Sequence, residues 1–328
     1  MDRIDKLKVV YVLVSNDQDF FCEQLLISIL SLRHRMSDVY ICLLTEEKTH
    51  KTLVGNRKEV LSLVDDVNIQ QLSDNYSMAE KSRILKTMMR DVIEGDFLYI
   101  DCDTVICDSL QCITRIEKTS AVLDNHQKVN ESIYEFASAI NNAKKMGYSV
   151  GYHNMHYNGG ILWCKDNTET RNFFKTWNQL WFEGNKKNIL ADQMSLNECN
   201  FRMNGFIHEL EGVWNCQLRF GIPYLADAKI IHYFASNFNK YNERKFGYLL
   251  TDCEYFQQMK NGEIPDKVKD IINNPKAAFN YSIIIDVENP DYLIISSNIG
   301  KFQRYIFRKH NFLFSKIDKV LGVLNKWR

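Results

Sequence analysis

Hydrophobic and polar positions alternate in blocks along the first hundred residues. KVVYVLVS (8–15) is a β-branched, apolar run that predicts a buried strand, and FFCEQLLISILSLRH after it sets Phe21, Leu25, Ile29 and Leu32 at helical spacing. DVYICLLT predicts a second strand, residues 48–63 carry a helical pattern, and VNIQQL predicts a third, short strand. SMAEKSRILKTMMRDVIEG opens with Ser77 and, three residues on, Glu80, a capping-box pattern; it closes at Gly95, a helix stop. FLYI (97–100) is the fourth strand. This βαβαβαβ order predicts a Rossmann-like, mostly parallel sheet with helices on both faces.

The second half is mixed. EFASAINNAKKMGY and TETRNFFKTWNQLWFEG read as helices, GGILWC and AKIIHYF as short strands, and ILADQMSLNECN as a loop entering a helix. No Gly-, Pro- or Ser-rich linker separates the halves, so one domain is expected over 1–260 and a C-terminal extension over 261–328.

Composition narrows the class. The chain has 328 residues, 45% hydrophobic and 25% charged, with four prolines and 14 glycines, which excludes collagenous and low-complexity designs. The N-terminal MDRIDKLKVVYVLVSND has no secretory h-region, and no apolar run reaches membrane-spanning length. With nine cysteines and no secretory signal, reduced thiols in a cytoplasm are expected, and the absence of a C-x-x-C pair argues against a common zinc site. The net charge of zero is unevenly spread: from Lys301 to Arg328 eight basic residues face one acid, Asp318, leaving +7 there and −7 on the preceding 300 residues. That tail asks for an acidic partner.

Candidate chemistry begins at FLYIDCDTVICDSL. Asp101 and Asp103 follow a buried strand, where ligands of parallel sheets bind, and residues two apart on extended chain point the same way. Three readings fit: a pair holding a hard divalent cation against a diphosphate, a nucleophile and acid for phosphoryl chemistry, or ordinary polar residues at a strand exit.

Several segments, in order, resemble the family 8 glycosyltransferases, nucleotide-sugar enzymes of the GT-A fold: VYVLVSNDQDFF, KSRILK, FLYIDCDTVICDSL, AVLDN, YNGGILWC, ADQMSLN, VWNCQ and KIIHYFA. The resemblance covers roughly residues 8–235. It implies a retaining transferase using a UDP-sugar donor, with Asp101, Asp103 and His232 holding Mn2+ or Mg2+; an imidazole ligand suits Mn2+ better. It further implies that Val14, Ser15 and Asp17 face the nucleoside, that Arg83 and Cys102 lie near the diphosphate, and that Asp124, Asn158, Asp192 and Gln193 form the catalytic, sugar-facing set. Asn158 with its two glycines also fits a tight turn before a strand. Family members commonly carry a Gly just after the His and then Lys-Pro-Trp; HYFASNFNKYNERK has Ala235 near the first position and lacks the second, leaving Lys240 as the phosphate contact.

In the basic tail, Leu313, Ile317, Val320, Leu324 and Trp327 fall on one helical face, with Lys316, Lys319, Lys326 and Arg328 off it. This pattern fits a helix at an anionic membrane surface, so the protein is expected in the cytoplasm, peripheral to the inner face of the membrane, with a glycan or lipid-linked acceptor. No nucleic-acid-binding motif is present, and nucleic acid is not expected as a partner. Two other readings stay open on the same residues. YIDCDTV also fits a haloacid-dehalogenase-type phosphatase with Asp101 as nucleophile, although the later Lys and acidic motifs of that class are missing. A non-catalytic sugar-nucleotide-binding protein of the same fold is the other.

Overall fold

A computed structural model describes residues 6–129, 136–218, 220–234, 250, 253–278, 294 and 297–324. They belong to two compact units, residues 1–278 and 279–328.

The first unit opens with β1 (Lys8–Leu13), α1 (Phe21–Arg35), β2 (Tyr40–Glu46), α2 (Glu47–Thr52), α3 (Glu59–Leu63), β3 (Asp66–Gln70), α4 (Met78–Val92) and β4 (Phe97–Ile100). The single helix anticipated over 48–63 is instead two helices with a 3-10 turn between them. The break falls at Gly55, whose φ of 58° is a left-handed conformation that glycine adopts without steric cost. After β5 (Thr104–Ile106) come β6 (Ser120–Leu123), α5 (Ala137–Met146), β7 (Tyr157–Cys164), α6 (Thr168–Asn185), α7 (Asp192–Arg202), β8 (His208–Leu210), β9 (Cys216–Gln217), β10 (Ile230–His232), α8 (Cys253–Lys260) and α9 (Asp266–Asn273). The unit runs past residue 260 to include α9, where the Asn273 carbonyl accepts a hydrogen bond from Arg35 at the end of α1 (2.7 Å).

Seven strands form the main sheet in the order β3-β2-β1-β4-β7-β6-β8. β1 pairs in parallel with β2 and β4, β2 with β3, and β6 with β8, while β7 is antiparallel to both its neighbours, so six of the seven strands share one direction. Asn158, Gly159 and Gly160 lie inside β7 and not in a turn ahead of it, because Tyr157 already pairs with Leu123 across an irregularity in β6. A small second sheet, β5-β10-β9, sets β5 antiparallel to β10 with Thr104 opposite His232.

The period of two along β1 divides the core. Val10 and Val12 join Phe97 of β4, Leu85 and Met89 of α4, Phe173 and Trp177 of α6, and Leu196 of α7 in one cluster. Tyr11 points the other way, and its hydroxyl meets Ser28 of α1 at 2.9 Å. Each large apolar side chain so buried contributes about 1.5–3 kcal/mol relative to exposure. α4 enters this core under both halves of the anticipated capping box, with Ser77 Oγ accepting from Glu80 N and Glu80 Oε2 from Ser77 N.

The second unit contains α10 (Asn298–Lys309), whose N-cap Ser297 accepts from Gly300 N at 3.1 Å, and α11 (Asn311–Leu324). On α11, Leu313, Ile317 and Val320 are exposed. The side chain of Leu324 and residues Lys326, Trp327 and Arg328 lie outside the described residues. Among the described residues no helix is long and apolar enough to cross a membrane.

Candidate active site

The chain places β2 and β3 on one side of β1 and β4 on the other, so the strand order reverses between β1 and β4. In open α/β sheets a crevice forms at the carboxyl ends of the strands at such a point. Asn16 and Asp17 follow β1 there, and Asp101, Cys102 and Asp103 follow β4.

The chain then turns back as β5, and the pairing of Thr104 with His232 delivers the imidazole to the two carboxylates. His232 Nε2 stands 3.2 Å from Asp103 Oδ1 and 4.0 Å from Asp101 Oδ2. One ligand atom from each of the three residues lies within 4.8 Å of the others, close enough to share one cation. His232 Nδ1 faces Asn215 Oδ1 at 3.1 Å, which orients the ring with Nε2 toward the carboxylates. Burial opposes a charge on His232, but Asp103 and then Asp101 outweigh it and raise the imidazole pKa above its ordinary value. Gly160 makes the approach possible: a Cβ there would sit 2.5 Å from His232 Cε1 and 2.9 Å from Asp101 Oδ2.

Two polar arms leave this cluster. Along the first, Asn215 Nδ2 donates to Asn158 Oδ1 (3.0 Å), and Asn158 Nδ2 donates to Asp124 Oδ1 (3.0 Å) and Gln193 Oε1 (3.4 Å). Gln217 fixes the turn carrying Asp124, accepting from Asn125 N and donating to Leu123 O, both at 2.8 Å. Along the second arm, Lys86 Nζ lies 3.4 Å from Asp101 Oδ1 and 3.1 Å from Asp192 Oδ2, while Arg83 Nε lies 3.0 Å from Asp192 Oδ1. Asp192 is the first residue of α7, where the helix dipole favours a carboxylate. Burial would raise its pKa, yet Lys86 and Arg83 overcome that and draw it down to about 2. The Tyr99 hydroxyl, kept protonated by burial and by Asp101, donates to Asp101 Oδ1.

Asp101, Asp103, His232, Asp124, Asn158, Asp192, Gln193 and Arg83 are therefore one connected network. The β1 exit is a separate cluster: Val14 is buried, Ser15 N donates to Thr49 Oγ1 (3.1 Å), Ser15 Oγ donates to Asp19 Oδ1 (2.5 Å), and Asp17 is exposed. Arg57 braces that loop through the carbonyls of Asn16 and Asp19 and through a bidentate pair with Glu23 at 2.7 and 2.9 Å. Cys102 donates to Val12 O (3.3 Å), and burial, followed by the flanking aspartates, raises its thiol well above the ordinary range. Lys240 lies outside the described residues. Lys86, Asn215 and Gln217 are site residues that the sequence reading did not single out, although KSRILK and VWNCQ contain them.

No protein-family model and no curated protein matches the sequence. Among solved structures, an active-site mutant of LgtC matches with a TM-score of 0.52 at 14% identity, over 80% of this chain and 99% of that one. The chain has the GT-A fold. Further matches are the galactosyltransferase LgtC in complex with donor and acceptor sugar analogues (15% identity, 80% of this chain and 99% of that one, TM-score 0.48) and mouse xyloside xylosyltransferase 1 in its apo form (10%, 70% and 98%, 0.47).

Proposed function

We propose that this protein is a metal-dependent glycosyltransferase that moves a hexose from a UDP-sugar to a glycan or lipid-linked acceptor with retention of configuration. The observation that carries this reading is the Asp101, Asp103 and His232 cluster at the switch point of the sheet. Two carboxylates and an imidazole held by a second-sphere amide fit Mn2+, and also Mg2+. When bound, such an ion neutralises diphosphate charge as a Lewis acid.

The chain's own residues supply the rest. Asp124, Asn158 and Gln193 offer carboxylate and amide groups to sugar hydroxyls, and Asp192, held ionised by Arg83 and Lys86, is fixed beside them. Asp17 and the backbone of Val14 and Ser15 are assigned to the nucleoside, and Lys240 to phosphate. The shared GT-A fold agrees with this reading. On the second unit, exposed Leu313, Ile317 and Val320 next to Lys316 and Lys319 suit an anionic membrane surface, and the proposal assigns the enzyme to the inner face of a cytoplasmic membrane.

One observation favours the phosphatase alternative: Lys86 stands beside Asp101, as a phosphorylated nucleophile would need. Against it, the same Lys86 is shared with Asp192, and β7 runs antiparallel beside β4. Release of UDP from a panel of UDP-sugars, with and without Mn2+, separates the two. The expected result is manganese-dependent turnover of one donor, lowered at least about a thousandfold in Asp103→Ala. Phosphate release from simple phosphomonoesters, with no donor turned over, would make Asp101 a nucleophile instead.

A further inference from the structure

The chain leaves β10 at His232 and, two residues on, takes a backbone conformation that its side chain disfavours. Phe234 has a φ of 51°. Among the described residues seven non-glycine positions have a positive φ, and the other six are Asn or His, side chains enriched in that region. A bulky aromatic residue there is an outlier. Such strain persists only where the surroundings over-determine it, and it clusters at functional sites.

The surroundings of Phe234 belong to the proposed cation site. Tyr233 N donates to Asp103 O at 3.1 Å, and His232 O accepts from Leu218 N at 3.2 Å, so the chain is fastened to the Asp103 loop and to the end of β9 just before it reaches Phe234. The phenyl ring then lies over His232, with ring centroids 4.1 Å apart and planes tilted by 30°, so the two rings meet face on face. Three contacts now define the imidazole: Asn215 at Nδ1, the Gly160 backbone against Cε1, and Phe234 on a ring face. A hydrogen bond at one atom leaves the ring free to swing about it. A stacked neighbour fixes the plane.

We infer that Phe234 is a positioning residue of the cation site, whose ring sets the plane of the His232 imidazole and with it the direction of Nε2. The strained backbone at residue 234 is kept for that stack. The contact also favours the ligated form, because an imidazole bound to a divalent cation carries positive charge, and an aromatic face attracts positive charge more strongly out of water. His232 is 3% exposed. Phe234 is itself half-buried, so a substitution there removes little of the core. The inference rests on the metal reading above.

The test is calorimetric titration of the full-length protein with Mn2+, without donor, alongside urea unfolding. Phe234→Gly and Phe234→Ala both remove the ring, and both are expected to bind Mn2+ about tenfold more weakly than wild type, the scale set by loss of an outer partner. Only glycine adopts this φ without steric cost, so Phe234→Gly should unfold at a higher urea concentration than Phe234→Ala although the two share the metal defect. A role in packing alone would make affinity follow stability instead. Phe234→Tyr keeps the ring face and should keep wild-type affinity. Wild-type affinity in both ringless variants, or a loss as large in Phe234→Tyr as in Phe234→Gly, overturns the inference and leaves the metal reading intact. If wild type itself binds no Mn2+, the metal reading falls and this inference with it.

Discussion

The two halves of the main sheet are built differently. In the parallel half, β1, β2 and β3 are each followed by a helix before the chain enters β4, and the α4 cap lies within three residues of sequence. From β7 outward, together with the small second sheet, the decisive contacts are long-range: Asn215 meets Asn158 across 57 residues, and Gln217 meets Leu123 across 94. The parallel half makes a crevice and supplies the Asp pair. The other half supplies His232 and the amides that aim the site. Damage to the first should therefore register as lost stability, and damage to the second as lost ligand geometry in a protein that still folds.

Gly160→Ala puts the largest strain on that division. Its Cβ would meet His232 Cε1, Asn158 Oδ1 and Asp101 Oδ2, all at 2.9 Å or less, so the cluster itself must shift. A misplacement of about 1 Å in such a site costs about a hundredfold in rate, whereas overpacking costs about 1–3 kcal/mol of stability. A folded variant with wild-type UDP release would show that the three ligands need not converge as they do here.

Asn215→Ala follows in size. It removes the acceptor at His232 Nδ1 and the donor to Asn158, leaving all three proposed ligands in place. Loss of such an outer partner lowers metal affinity by about 10–100-fold, which calorimetric titration with Mn2+ measures. Unchanged affinity would mean that packing alone orients the imidazole.

Asp192 links the halves through α4, and its effect is visible in the pH dependence of stability. Its folded pKa, about 2, lies below the 3.8 usual for an aspartate. Its contribution, about 2 kcal/mol by linkage, is therefore present above pH 4 and is lost as pH falls toward 2. Lys86→Met takes away one of the two cations that depress the pKa, so the loss should begin at higher pH in the variant. Urea unfolding from pH 5 to pH 3 tests this, and parallel stability curves for the two proteins would show that Arg83 alone sets the carboxylate.

What the sequence made legible follows the same division. The βαβ order and the α4 cap could be read because their signals are local periodicity and a three-residue spacing. The convergence of Asp101, Asp103 and His232 could be anticipated because ordered segments flank them. Lys86 left a signal that went unused: it sits between Leu85 and Met89 on the buried side of α4, where a charge requires a partner. Asn215 and Gln217 left none, since an amide side chain does not disclose which group it will meet dozens of residues away. The break at Gly55 was hidden by a helical pattern that continues across it.

Ser77→Ala is the smallest change and the sharpest control. Ser77 Oγ caps α4 at Glu80 N, and Glu80 in turn accepts from Asn185 on α6 at 2.6 Å, so the cap also ties α4 to α6. Its loss costs about 1 kcal/mol, within the range for N-caps. Arg83 and Lys86 lie six and nine residues farther along α4, and both are pinned to Asp192 independently of the first turn. A fall in urea midpoint with unchanged Mn2+ affinity and unchanged UDP release is thus expected. If Ser77→Ala weakened Mn2+ binding as much as Asn215→Ala, the start of α4 would have to transmit its fraying to Asp101 through Lys86. Scaffold and site would then be one mechanical unit, not two.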